Sequence, residues 1–298
     1  MRFGIMAMQI GSLVPPGLSP EAVLAHVGAF DQSAVVRSLV AEGFRLVELG
    51  GDISLFFPHA LSPAAIEKLG ALKEETGVQF TLHLPLWSVE PSTPLTPVRQ
   101  GSVRALVDAV VLTRPLEPEM IVMHATGALA AEFYRMRLPD IARALLLRQF
   151  QSYARSSLLA ILGETGIPSR RLAIETIEFP FELTLELAEE LDLSVCLDTG
   201  HVLVGFSGPI TIDEVLDQCN GRLGEIHLHD GPWQGAEMVI GYGRDHQALG
   251  MGDLDVGRLL DRLAAQAFDG PVIFELTVPE ALASLATIRT ICPDLPIT

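Results

Sequence analysis

Residues 171–201 read RLAIETIEFPFELTLELAEELDLSVCLDTGH. Two short apolar runs, 172–177 and 194–198, flank a stretch over 181–191 whose apolar residues recur at helical spacing. Glu175 lies near the end of the first run and Asp198 closes the second, with His201 just beyond. A strand, a helix and a second strand in this order form one unit of a parallel sheet, and strands apolar on both faces are what helix-covered parallel sheets contain.

The same alternation extends outward in both directions. Strand-like runs fall at 2–7, 46–50, 79–85, 120–125, 224–230 and 271–277, which with the two above makes eight. Amphipathic stretches lie between them at 63–76, 98–113, 139–162, 211–219, 256–267 and 279–291. Ser62-Pro63, Asp255 before Val256, and Val278-Pro279 are helix-start signals, while Gly77, Gly166 and Gly221 stand where helices stop. The expected fold is α/β, a (β/α)8 TIM barrel formed by residues 1–298 as a single domain. An open doubly wound sheet would carry GxGxxG after its first strand, and none is present. The connections after strands are long (8–30, 86–97, 126–138 and 231–254), which places them on the C-terminal rim where barrel enzymes work.

Composition narrows the function classes. The 298 residues are 49% hydrophobic with a net charge of −17, and lysine occurs only at Lys68 and Lys73. A chain this acidic, without a Lys/Arg cluster, does not suit a phosphate backbone, so nucleic acid is not expected as a partner. Cys196, Cys219 and Cys292 are too few and too scattered for a disulfide framework or a CxxC metal site, which favours a reducing, cytoplasmic setting. The apolar run after Arg2 is too short for a signal peptide and reads as a strand. No apolar stretch is long enough to span a bilayer, so no membrane association is expected.

Polar residues recur at the strand tips. They are Glu48 on strand two, His83 on three, His124 on four, Glu175 on five, Asp198 and His201 at six, His227, His229 and Asp230 on seven, and Glu275 on eight. Any one of these histidines alone reads most simply as a hydrogen-bonded structural group. Five carboxylates and several imidazoles meeting at one mouth are costly to bury without a cation. A divalent metal resolves that cost, and Glu, Asp and His are its ligands. The runs AIET, CLDTGH, IHLHD and IFEL each place such a residue after apolar strand positions.

From FGIMA through VELG, TLHLP, IVMHA, LAIET, SVCLDTGH, EIHLHDG and DHQALGMGDLD to VIFEL, the chain resembles the xylose isomerase-like TIM-barrel superfamily. That superfamily includes sugar isomerases and epimerases and endonuclease IV-type phosphodiesterases. The resemblance implies a divalent ion (Zn, Mn, Co or Mg) on Glu175, Asp198, His227 and Glu275. In multinuclear members, residues matching His83 and His124 join Glu175 around a second ion, and His201 and His246 match ligands of a third. Arg244 stands where an acidic residue usually precedes His246, although Asp245 is adjacent, and this departure argues against a complete third site. The stretch 81–118, together with FPFEL, SVCLDTGH and GRDHQAL, further resembles the cobamide-remodelling phosphodiesterases of the same superfamily.

Other chemistries lack their residues. Both lysines fall on the second helix, away from a Schiff-base position, GFSGP is not a nucleophile elbow, and no Walker A sequence occurs. The glycines at 241, 243, 250 and 252 read as loop residues in preference to a phosphate cradle. Trp87 and Trp233, just past strands three and seven, are candidates to stack on substrate or to pack under the rim. Arg244 is the candidate cation for a phosphate or carboxylate, or else a loop ion-pair partner. His229 and Asp230 are candidates to orient His227 or touch substrate, and Glu48 to touch substrate.

The first reading is a metal-dependent sugar or sugar-phosphate isomerase or epimerase, with Glu175 and Glu275 exchanging a proton on opposite faces of a carbon. The second is a multinuclear phosphodiesterase acting on a small phosphodiester, which the additional histidines favour. The third is a noncatalytic ligand-binding barrel. His83 and His124 are expected to face the cavity on the side of Glu175. The sequence leaves the assembly open, a homo-oligomer included.

Overall fold

A computed structural model describes residues 1–6, 17–219, 221–234, 240–241 and 243–295. Eight parallel strands close into a barrel in chain order. They are β1 (Arg2–Ile5), β2 (Leu46–Gly50), β3 (Gln79–His83), β4 (Ile121–Met123), β5 (Leu172–Glu175), β6 (Ser194–Asp198), β7 (Leu223–His227) and β8 (Pro271–Phe274). Pairing of β1 with β8, from Arg2 opposite Pro271 to Ile5 opposite Phe274, closes the ring.

The alternation of a strand sorts each residue to one of two cores. Ile174, Val195, Leu197, Ile226, Val272 and Phe274 point outward into the layer shared with the helices. Ala173, Val122 and Cys196 meet in the barrel interior. Two residues further along, the inward positions are Glu175 on β5 and Asp198 on β6. An apolar floor therefore lies beneath a polar top. The β6–β7 register shifts between Val195, opposite Leu223, and Cys196, opposite Glu225, so that Asp198 comes beside His227. Gly224 is the residue passed over. A Cβ there would lie 2.7 Å from that of Ser194, so glycine permits this approach.

Helix ends follow the sequence signals. Ser62 accepts from the Ala65 amide ahead of Pro63–Thr76, and Gly77 ends that helix in the left-handed region at φ 74°. Thr277 and Glu280 form a reciprocal capping box on Val278–Ile291.

Three differences from the sequence reading concern extents. Most strands end earlier than their apolar runs, because residues such as Leu84 stay buried on the rim after the ladder stops. The connection 8–30 contains the helix Pro20–Ala29, and 126–138 contains Ala128–Arg135. Pro20–Ala29 buries none of its residues, so no apolar stripe marked it. A further helix, Gln32–Ala41, follows it and buries Val36 and Leu39. Ala7, at the end of the first expected strand, and 8–16, 235–239 and 242 within the expected loops lie outside the described residues. No helix among the described residues is long and apolar enough to cross a membrane.

Candidate metal centre

The C-terminal mouth gathers five histidines around three carboxylates. Glu175 is the hub. Its Oε2 lies 2.9 Å from His83 Nε2 and 3.0 Å from His124 Nε2. Its Oε1 lies 3.2 Å from His201 Nδ1 and 3.5 Å from His227 Nδ1. Asp198 accepts the His201 amide on Oδ1 at 2.7 Å, and its Oδ2 faces His201 Nδ1 at 3.3 Å and His227 Nδ1 at 3.8 Å. Glu275 completes the ring, with Oε1 3.2 Å from His227 Nδ1 and Oε2 3.2 Å from His246 Nε2. All four expected core residues, and His83, His124, His201 and His246, thus come together. Cys196 sits one layer deeper, fully buried.

His229 belongs to the same cluster more directly than the sequence suggested. Its Nε2 is 2.9 Å from Asp198 Oδ2 and 3.8 Å from Glu275 Oε2. Its ring stacks on His246 with centroids 4.2 Å apart, and its Nδ1 accepts the His246 amide. Gly200 makes room for this ring, since a Cβ there would fall 2.1 Å from His229 Nδ1.

The place left by Arg244 is taken by its neighbour. Asp245 Oδ2 lies 2.9 Å from His246 Nδ1 and 3.7 Å from His201 Nε2, while Arg244 is exposed and does not line the cavity. Two histidines and a carboxylate therefore meet on this side despite the altered spacing. Asp230 does not reach the cavity. Its buried carboxylate accepts from the amides of Gly231, Gly250, Gly252 and Leu254, tying both ends of the long β7 loop together.

Below the mouth, a second layer holds a residue that sequence reasoning quoted without a role. Glu225 is fully buried, accepts from Thr81 Oγ1 at 3.1 Å and lies 4.0 Å from His227 Nε2. Its position two before His227 on one strand was the available signal. Glu48 Oε2 stands 3.2 Å from the same nitrogen. Burial, reinforced by the charge of Glu48, pushes the Glu225 carboxyl well above the usual range. Glu48 lines the floor of the cavity but is only 2% exposed, which places it under His227 and away from the entrance. Trp87 stands at the entrance, edge-on to Phe56. Trp233 lies elsewhere, beside a shallower depression with Asp253 and Arg258.

These donors fit divalent ions. The His227 ring is fully buried, and neither nitrogen has a hydrogen-bond partner, although Nδ1 faces three carboxylates. A four-coordinate ion with bonds of roughly 2.0–2.2 Å holds its ligand atoms about 3.3–3.6 Å apart, close to the spacings here. Ligand-capable triads form at His83, His124 and Glu175, at Glu175, Asp198 and His227, at Asp198, His229 and Glu275, and at His201, His229 and His246.

Without an ion, protons take its place. Burial opposes a charge on His83 and His201, yet the hydrogen bond to Glu175 and the charge of Asp198, respectively, raise each to about 9. Asp245 and Glu275 raise His246 to about 11 against the same penalty. Glu175 is held well below the carboxylate range despite burial, chiefly by His124 and His227. Because the folded values are raised, these contacts stabilise the metal-free fold fully below the ordinary histidine value. That stability is lost as pH rises through about 9 for His83 and His201. Metal binding has the opposite sign, since each histidine must shed its proton, so affinity rises with pH. Zinc added to lightly buffered metal-free protein near pH 7 is expected to release about three or more protons per chain. A pH-stat reading of no release would mean that these histidines do not hold the ion.

A sequence model of the xylose isomerase-like TIM barrel matches residues 36–291. The chain belongs to that family. An uncharacterized protein of Methanocaldococcus jannaschii, MJ1311, is 23% identical to this xylose isomerase-like chain over 227 residues, covering 73% of it and 71% of the relative. Among solved structures, a D-tagatose 3-epimerase-like protein superposes with a TM-score of 0.70 at 18% identity, covering 98% of this chain and 97% of that one. Endonuclease IV from Thermus thermophilus superposes with a TM-score of 0.65 at 20% identity, covering 99% and 100%. The family and these neighbours are mostly enzymes, and at such identities the structural likeness is one of fold.

Proposed function

We propose that this xylose isomerase-like barrel is a metal-dependent hydrolase of a small phosphodiester. The observation that carries the reading is the two-sided use of Glu175. Oε2 meets His83 and His124 while Oε1 meets His201 and His227, so one carboxylate stands between two groups of ligand-capable nitrogens. A four-ligand isomerase centre does not need His83, His124, His201 and His246 as metal ligands.

Bound divalent ions would supply Lewis acidity and lower the pKa of water at this mouth. The chain's own part is to hold that chemistry in place. Glu175, Asp198 and Glu275 would fix the ions, and Asp245, between His201 and His246, would complete the outer group. His229 would orient Asp198 through the 2.9 Å contact, with Thr199 fixing the strand above it by exchanging hydrogen bonds with the His229 backbone. The strong acidity of the chain favours a small substrate over a nucleic acid.

A sugar epimerase is the second reading, favoured by Glu175 and Glu275 both presenting carboxylates to one opening. Metal counting on protein purified without chelator, with assays on both substrate classes, separates the two. Two or three ions per chain and cleavage of bis(p-nitrophenyl) phosphate are expected. One ion per chain, with solvent deuterium entering a ketose and no diester cleavage, would overturn the hydrolase reading.

A further inference from the structure

The cavity over the centre, about 250 Å³, is strongly asymmetric. Its floor is the histidine–carboxylate cluster. Its wall on the β1–β3 side is Val35, Leu39, Ile53, Phe56, Leu86 and Trp87. Phe56 and Trp87 meet edge to face at 6.0 Å and remain 40% and 61% exposed, a large apolar surface to leave in water beside a polar centre. The polar groups on this side are Gln32 and Asp52, and each has a buried side-chain oxygen with no hydrogen-bond partner. An anion placed there would face the Asp52 carboxylate.

Among the described residues, no lysine or arginine lines the cavity. The sequence has none between Arg2 and Arg37, between Arg45 and Lys68, or between Lys73 and Arg99, which spans the connections that follow β1, β2 and β3. A second phosphate, a carboxylate or a polyanionic strand thus finds no counter-charge on this wall.

We propose that this wall receives an uncharged aromatic arm of the substrate, stacked against Trp87 and Phe56, while the single phosphodiester anion lies over the His83–His124–Glu175 side of the floor. The proposal rests on the hydrolase reading and adds the substrate class: a monoanionic diester with one flat, apolar substituent. It disfavours sugar phosphates, whose hydroxyl-rich ring would face six hydrophobic side chains.

The test uses two non-cleavable diester mimics of equal charge, methyl(phenyl)phosphinate and dimethylphosphinate, bound to the zinc-loaded full chain in a calorimeter. The phenyl compound is expected to bind at least about tenfold more tightly. Trp87→Ala and Phe56→Ala should each reduce that preference. With Trp233→Phe leaving Trp87 the only tryptophan, only the phenyl compound should change its emission. Equal affinities, no measurable binding of the phenyl compound, or a preference that survives both alanine variants would overturn the proposal. Circular dichroism on each variant separates a lost contact from a lost fold. Because the readout is binding, failure to cleave any diester would remove the hydrolase reading while leaving the wall's preference for an aromatic arm measurable.

Discussion

Glu175→Gln is expected to cost the protein at least one equivalent of bound metal and to lower diester turnover by more than about 100-fold, the upper range for losing a mere ligand-orienting contact. The substitution keeps the shape of the side chain and removes its charge. It also turns one of two acceptor oxygens into a donor. In the native site one oxygen faces His83 and His124 and the other faces His201 and His227, so whichever end becomes the amide nitrogen, one pair of imidazoles meets a donor. Neither side can hold an ion as before. Elemental analysis beside steady-state kinetics checks this. A full metal complement with activity within about tenfold of native would show that Glu175 is not the shared group.

The second large effect is expected at a residue that touches no candidate ligand side chain. Asp230→Ala should destabilise the protein by roughly 3–5 kcal/mol, because a buried carboxylate accepting four backbone amides is removed at once. Gly250, Gly252 and Leu254 lie at the far end of the β7 loop, so losing their anchor also frees the segment that carries Asp245 and His246. A thermal melt that falls by several degrees, together with weaker binding of the most labile ion, is the expected pair of results. Unchanged melting would mean that water replaces the carboxylate without loss.

How far the sequence reading reached can be traced residue by residue. β2 and β6 have their expected ends, as does the helix Pro63–Thr76, because each is bounded by a local signal: an acid or glycine at a strand tip, a serine cap, a left-handed glycine. Recurrence at the strand tips drew attention to Glu175, Asp198, His227 and Glu275, and the family resemblance singled them out as the core set. The third group was less legible: the resemblance expects an acidic residue two before His246, and Arg244 stands there. His246, however, adopts a left-handed backbone at φ 56°, an uncommon conformation for a residue with a Cβ. With that turn, neighbouring Asp245 and His246 both face the mouth while Arg244 is exposed. Nothing in residue spacing reveals a positive φ at a histidine. The apolar wall was equally hidden, since Val35 and Leu39 belong to a helix whose approach to Trp87 depends on the closed barrel.

The closed ring also has a consequence for biosynthesis. The ligand-capable residues are spread from β3 to β8, and Glu275 arrives on the last strand, which is held by a short ladder to β7 and by its pairing with β1. These are pairings of high sequence separation, slow to form in a folding chain. A nascent or half-folded chain can offer isolated histidines to an ion but not the converged set. Tight capture of an ion at this mouth would therefore be a late event that rewards only the completed ring, and such an ion would act as a latch on a finished fold, not as a nucleus for it.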